Sequence, residues 1–340
     1  MDVLNAISAA SRAAQPHIVL PEGEDARIVE GAVRAAGEGL ARVTLLGDAA
    51  KITAMLNDAG AGDAPVAVLD PADAPQLEAY AAAYHELRRH KGLDAEAARE
   101  AMTAPLGFAA MMVRQGDADG TIGGAVATTA DTVRAALQII GKAPDADVVS
   151  SYFLMLLPAP FSCPVVFSDC GLIMQPTAEE LASIATASAK SLIALTGQEP
   201  RVAMLSFSTM GSVPADAHES IGRIRSAIAM IRERAPDLIV DGEIQFDAAI
   251  MPDIAGKKAP ESPLAGRANV FVFPSLSAGN IGYKIAQRIG GAVALGPVLQ
   301  GLAHPANDLS RGCSADDVHQ MIAITGAQAA AQMRNASNQG

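Results

Sequence analysis

Short runs of aliphatic and β-branched residues alternate along the chain with longer stretches whose apolar positions recur every three to four residues. HIVLPEG is followed by DARIVEGAVRAAGEG, RVTLLGD by AAKITAMLNDAG, RVAMLSFST by SIGRIRSAIAMIRERAP, and NVFVFPSLSAGN by IGYKIAQRIGG. Fully apolar or alternating runs of this length read as strands, and period-3.6 stretches read as amphipathic helices. Their alternation predicts βαβ units around mainly parallel sheets, an α/β fold. The most apolar stretch, VVSSYFLMLLPAPFSCPVVF, is long enough to cross a bilayer, but Pro158, Pro160 and Pro164 interrupt it. It therefore reads as buried strands joined by a connector.

Helix starts are marked by capping pairs: Thr177 with Glu180, Thr128 with Asp131, and Ser314 with Asp317. The stretch DGTIGGAVA, just ahead of Thr128, reads as a strand ending in a glycine-rich loop. Backbone N–H groups there would stand free for an anion such as a phosphate.

Composition narrows the function. A length of 340 residues, half of them hydrophobic, suits two α/β domains with substantial cores, and a soft boundary falls near GKAPDADVVSS. The formal net charge is −12, and no basic run is interleaved with aromatics, so nucleic acid is excluded as an expected partner. MDVLNAISAASRAAQ lacks the charged and apolar regions of an export signal, and no membrane anchor is expected. Cys163, Cys170 and Cys313 show neither CxxC nor Cys/His ligand spacing, which points to a reducing cytoplasm rather than to a disulfide or zinc framework. Neither a GxGxxG fingerprint nor a Walker sequence is present, which weakens dinucleotide and P-loop readings.

Further motifs carry a more specific message. SYFLM, SDCGLIMQPTAEELASIA, LSFSTMGS, APDLIVDGEIQFDAAI, KKAPESPLAGRANVFVFPSLSAGNIGYKIAQRIGG, ALGPVLQGL and NDLSRGCSADDV occur in order, and the likeness runs from IVLPEGEDAR almost to the C-terminus. Together they resemble the phosphate acetyl/butyryl transferase family, and within it the phosphotransacetylases. The resemblance implies reversible acetyl transfer between acetyl phosphate and coenzyme A, with phosphate as the other product. It implies a fold of two α/β domains resembling the isocitrate/isopropylmalate dehydrogenase-like fold, an active cleft between them, and a homodimer. The first domain would be discontinuous, residues 1–146 with 306–340; the second, residues 147–305, would carry dimerisation. Coenzyme A would be a substrate, with no tightly bound cofactor and no metal.

Carried over residue by residue, the resemblance places the catalytic aspartate at Asp317 and the active-site serine at Ser310. The substrate-binding set falls on Arg311, Arg134, Arg88, Lys258, Arg27 and Thr129, with Arg89 and Lys257 as the adjacent alternatives to Arg88 and Lys258. Cys170 is followed by Gly171 where the family often has alanine, and the stretch from Leu172 to Gln175 is more apolar than usual.

The chemistry asks for such residues. A thiol near pKa ~8.5 is only a few per cent thiolate at neutral pH, so making the nucleophile is the main task, and a carboxylate base serves it. A serine hydroxyl can donate to the oxyanion, and an arginine fork can grip phosphate through two parallel hydrogen bonds. Without the family, SADD would read as a helix cap, Asp316 as a solvated charge, and Arg27 and Arg134 as surface ion-pair partners. Cys313, ahead of a helix start, offers a covalent alternative, but an activated donor and an external thiol do not need it. Rival readings are a phosphate butyryltransferase, a non-catalytic acetyl-CoA-sensing module, and a nicotinamide-dependent decarboxylating dehydrogenase.

Overall fold

A computed structural model describes residues 3–214, 216 and 218–339, without the side chains beyond 334. It contains eleven strands: β1 His17–Leu20, β2 Arg42–Leu46, β3 Val66–Leu69, β4 Gly120–Gly123, β5 Ser150–Leu156, β6 Pro164–Ser168, β7 Arg201–Leu205, β8 Ile239–Ile244, β9 Val270–Val272, β10 Val293–Gln300 and β11 Ala306–Asp308. Two compact units result, Met1–Pro144 together with Leu302–Gly340, and Asp145–Gly301.

The first unit holds a five-stranded sheet in the order β11-β4-β1-β2-β3 with every pairing parallel. Ile18, Val19 and Leu20 in β1 are fully buried, as a central strand covered on both faces requires. The helix Ala26–Gly37 starts where the Asp25 side chain accepts from the Arg27 backbone N–H. It packs on the C-terminal helix Ala315–Gln339 so closely that a Cβ on Gly31 would lie 2.7 Å from Val318. Buried Asn307 ties β11 to the same long helix by donating from Nδ2 to Thr325 Oγ1 at 2.8 Å and to Gln328 Oε1 at 2.7 Å.

The second unit holds a six-stranded sheet in the order β10-β5-β6-β9-β7-β8. Pairings β6–β9, β9–β7 and β7–β8 are parallel, whereas β10–β5 and β5–β6 are antiparallel. The apolar stretch with three prolines is thus a strand pair with a connector. Its core gathers Phe153, Phe167 and Phe271 with Leu205, Ile244 and Leu264, and Phe167 and Phe271 meet edge-on at 5.5 Å. Edge-to-face contacts of this kind add to area burial.

Helix ends follow their capping residues. Thr177 and Glu180 form a complete capping box ahead of Ala178–Thr196, which Gly197 closes in the left-handed conformation. Two strand expectations run too long. β9 ends at Val272 and a helix already begins at Leu276, because Ser275 accepts from the Ala278 N–H and converts the tail of NVFVFPSLSAGN into a helix start. Likewise β7 ends at Leu205, ahead of the polar turn that follows. Removing the buried Phe271 ring by Phe271→Ala should lower stability by about 3–5 kcal/mol in a urea titration; a midpoint unchanged from the wild type would show that this ring does not anchor the second core.

Candidate active site

The first sheet reverses direction at β1. The chain passes from β1 to β2 and β3 on one side, then returns to place β4 on the other. Loops leaving the carboxyl ends of strands at such a switch point flank a crevice, the common ligand position in open α/β sheets. Here the loops after β1, β4 and β11 come together.

Glu22, just after β1, fills the glycine-rich loop. Its Oε2 accepts from the Ala125 N–H at 2.7 Å, and its Oε1 accepts from the Val126 and Ala127 N–H groups at 3.1 and 2.7 Å. The loop N–H groups expected to be free for a phosphate are thus already satisfied by the protein's own carboxylate, which has the same charge and acceptor chemistry. Thr128 caps the helix Thr129–Ala135 as its sequence indicates.

Arg27 braces all three loops. Nε and Nη2 donate to Asp25 at 2.9 and 2.8 Å, Nη2 also reaches the Ala125 carbonyl at 2.8 Å, and Nη1 donates to the carbonyls of Arg311 and Cys313 at 2.7 and 3.1 Å. These bonds use the full donor set of a guanidinium. The Asp25 carboxylate holds the Arg27 charge more firmly than usual, and Arg27 in turn lowers the Asp25 carboxyl. Placed this way, Arg27 grips backbone carbonyls, and its donors are not free for a substrate.

Beside the brace lies Asp308, the last residue of β11 and only 1% exposed. Its Oδ2 accepts from the Thr129 hydroxyl at 2.7 Å. Burial pushes its carboxyl up to about 6, against the pull of that hydroxyl. Gly124, at φ +102°, passes directly over it: a Cβ there would fall 2.1 Å from Asp308 Oδ1. Sequence reading did not single out Glu22, Asp25 or Asp308; the available signal was the placement of these acids immediately after, or at the end of, short apolar strands.

Ser310 and Arg311 follow on the turn that Arg27 holds, and both are exposed. Ser310 Oγ accepts from the Gly312 N–H at 3.3 Å, which leaves its own proton to donate. The Arg311 side chain has no ion pair or hydrogen bond among the described residues. Asp317 completes a capping box: Oδ2 accepts from Ser314 N–H and Oγ–H at 2.8 and 2.9 Å, and Ser314 Oγ accepts from the Asp317 N–H at 3.2 Å. Both donors sit on one oxygen, so Oδ1 stays open and the cap and a base role are compatible. Its neighbour Asp316 is exposed but not merely solvated, since it pairs with Arg34 at 2.5 Å. Cys313 is buried, and burial pushes its thiol up, the opposite of what a nucleophilic cysteine needs.

The remaining expected cations are spread more widely. Arg134 pairs with Asp131 at 2.6 Å, and the Thr128 hydroxyl and then Arg134 hold that carboxyl below its usual range. Arg88 ends the helix Leu77–Arg88 without an ion pair among the described residues, whereas Arg89 pairs with Glu86 at 2.7 Å. Lys258 belongs to the second unit, where it donates to Asp247 at 2.9 Å and to Gln245 at 3.0 Å. Among the described residues, no group of three His, Cys, Asp or Glu side chains is placed to share a metal ion.

The α/β fold thus sets Ser310 and Arg311 on the turn after β11 and Asp317 in the first turn of the helix Ala315–Gln339, side chains whose chemistry suits acyl transfer from a phosphorylated donor. Residues 2–326 match the family described as phosphate acetyl/butaryl transferase, and the chain belongs to that family. It is 55% identical over 331 residues to a phosphate acetyltransferase of Paracoccus denitrificans, covering 96% of this chain and 99% of that protein. A solved phosphotransacetylase from Streptococcus pyogenes superposes with a TM-score of 0.90 at 41% identity, covering 96% and 98% of the two chains. A 4-hydroxythreonine-4-phosphate dehydrogenase from Klebsiella pneumoniae, at a TM-score of 0.51 and 13% identity over 92% of this chain and 100% of its own, shares the fold alone. The dehydrogenase-like architecture expected from the motifs is therefore present, and enzymes of this family use coenzyme A as a substrate.

Arg27→Lys tests the brace, because an ammonium on a flexible stem cannot supply the same planar set of donors. The substitution should cost about 2–3 kcal/mol of stability, measured by denaturant unfolding, as the three loops lose shared partners. Wild-type stability in the lysine variant would show that the loops hold without the fork.

Proposed function

We propose that the chain interconverts acetyl phosphate plus coenzyme A with acetyl-CoA plus phosphate by direct attack while both substrates are bound. The observation that carries this reading is the turn itself. Ser310 keeps a donatable proton, Arg311 keeps its whole fork, Asp317 keeps an open oxygen, and the one cysteine among them is buried.

In this mechanism Asp317 takes the thiol proton and becomes the carboxylic acid, and the thiolate attacks the acetyl carbon. The new C–S bond forms as the carbonyl oxygen gains charge, which the Ser310 hydroxyl stabilises by donating to it. The C–O bond to phosphate then breaks, the leaving phosphate takes up the proton that Asp317 held and so restores its carboxylate, and Arg311 holds the departing anion through a bidentate contact. Arg88 and Arg134 supply further cations for the phosphates of coenzyme A, and Arg134 would exchange its carboxylate partner for phosphate. With an overall charge of −12 such local clusters, not long-range attraction, must gather anionic substrates. Thr129 contributes its hydroxyl at the acyl-phosphate end, and Arg27 acts by holding the turn in place.

The enzyme works in this reading as a cytoplasmic homodimer without a tightly bound cofactor. The exposed apolar row of Ile281, Ile285 and Ile289 on and just beyond the helix Leu276–Arg288 supports assembly through the second unit. Its three cysteines are free. No described helix is long and apolar enough to cross a membrane.

Formation of the acetyl-CoA thioester from acetyl phosphate and coenzyme A, followed by its absorbance, tests the scheme. Asp317→Asn should lower kcat by about 10²–10⁴-fold, the usual worth of a positioned base. Arg311→Ala should raise KM for acetyl phosphate and lower kcat, with Arg311→Lys recovering only part, because a point charge does not reproduce the fork. Wild-type kinetics in Asp317→Asn would remove the aspartate from the chemistry.

A further inference from the structure

We propose that Asp308 is a positioning residue for acyl-phosphate use, one that sets the direction in which the Thr129 hydroxyl points its proton. The proposal rests on the reading above that Thr129 faces the acyl phosphate.

The geometry leads there directly. Asp308 closes β11 beneath the Gly124 loop and is 1% exposed. Its Oδ2 is bonded to Thr129 Oγ1 at 2.7 Å. Its Oδ1 is buried without a hydrogen-bond partner, and so is the hydroxyl oxygen of Thr132 on the same helix as Thr129. A buried ionised carboxylate needs several donors, and this pocket supplies few. The loop backbone above leaves no space for another, since even one carbon on Gly124 would collide with Oδ1.

The charged surroundings act in the same direction. Glu22, across the Gly124 loop, opposes a second negative charge, and the nearby cation, Arg27, is already committed to Asp25 and to backbone carbonyls. From the helix Thr129–Ala135 only the hydroxyls of Thr129 and Thr132 bear on the carboxyl, because Asp131 and Arg134 are engaged with Thr128 and with each other. On its own segment the neighbouring polar group is the Leu309 backbone N–H. Burial accordingly raises this carboxyl into the range where it exchanges a proton near neutrality.

Protonation changes what Thr129 can offer. With Asp308 as a carboxylate, the Thr129 hydroxyl donates its proton to Asp308 Oδ2, and Thr129 shows only lone pairs to its other side. A phosphoryl oxygen also carries only lone pairs, so the two repel. With Asp308 as a carboxylic acid, Oδ2–H donates to Thr129 Oγ1, the hydroxyl rotates, and its proton is donated outward to the phosphoryl oxygen. One proton enters with the anion, and no covalent bond to carbon or phosphorus changes.

Two measurements test this, with sulfate, a dianion across the range used, as the phosphoryl probe. In calorimetry at pH 7 in buffers of different ionisation enthalpy, sulfate binding to the wild type should take up a proton, and Asp308→Asn should take up none. In kinetics, the wild-type KM for acetyl phosphate should rise about tenfold or more from pH 6 to pH 8, as the competent protonated fraction falls, while KM for coenzyme A stays level. Asp308→Asn carries a permanent N–H for Thr129, so its KM should stay flat with pH and within about threefold of the wild-type value at pH 6. Thr129→Val should be equally flat but with KM raised about tenfold, the worth of one hydrogen bond to a charged group. Sulfate binding without proton uptake in the wild type, or a wild-type pH slope persisting in Asp308→Asn, would overturn the proposal. Turnover with no proton uptake would sink the Asp308 role alone; proton uptake in a protein that makes no acetyl-CoA would sink the proposed reaction and leave the role standing.

Discussion

The site depends on one guanidinium. Three loops leave the carboxyl ends of neighbouring parallel strands, and each ends with polar backbone that its own strand cannot satisfy. Arg27 resolves this by binding Asp25 beside it, the Ala125 carbonyl after β4, and the carbonyls of Arg311 and Cys313 after β11. A planar fork of fixed donors can register three loops in a way that a lysine cannot. The position of Ser310 and Arg311 thus follows from a residue near the other end of the chain, 284 positions ahead of Arg311.

The same region shows how an acidic protein handles acidic substrates. Glu22 occupies the loop N–H groups that would otherwise attract any passing anion, and Asp308 lies buried close by. In the proposed reaction, anion binding falls instead to the Ser310 and Arg311 side chains on the adjoining turn, whose donors are not used among the described residues. Burial first, and then the charge of Glu22, push the Asp308 carboxyl up, and among the described residues no cation pairs with it to offset them.

Much of this was legible in the chain. Strand and helix alternation, the strand pair interrupted by prolines, and the Thr177 and Thr128 caps follow from periodicity and from short polar side chains, which act within a few residues. The start of the helix at Leu276 was less visible, because an aliphatic strand tail and a helix first turn share the composition of SLSAG. Long-range bonds were not legible at all. Nothing local in GEDAR says that Arg27 will spend its donors on carbonyls a whole domain away in sequence, or that Glu22 will fill a loop about a hundred residues on. Asp317 shows why a motif can be ambiguous: one carboxylate oxygen caps the helix, and the other remains open.

The central claim, direct transfer in a complex holding both substrates, is tested most directly by isotope exchange. The enzyme would be incubated with acetyl phosphate and radiolabelled inorganic phosphate, first without coenzyme A and then with it. Direct attack predicts no label in acetyl phosphate until coenzyme A is added, because no acetyl group leaves its phosphate without a thiol to receive it. Rapid exchange in the absence of coenzyme A would mean that the protein itself carries the acetyl group, and would contradict the account.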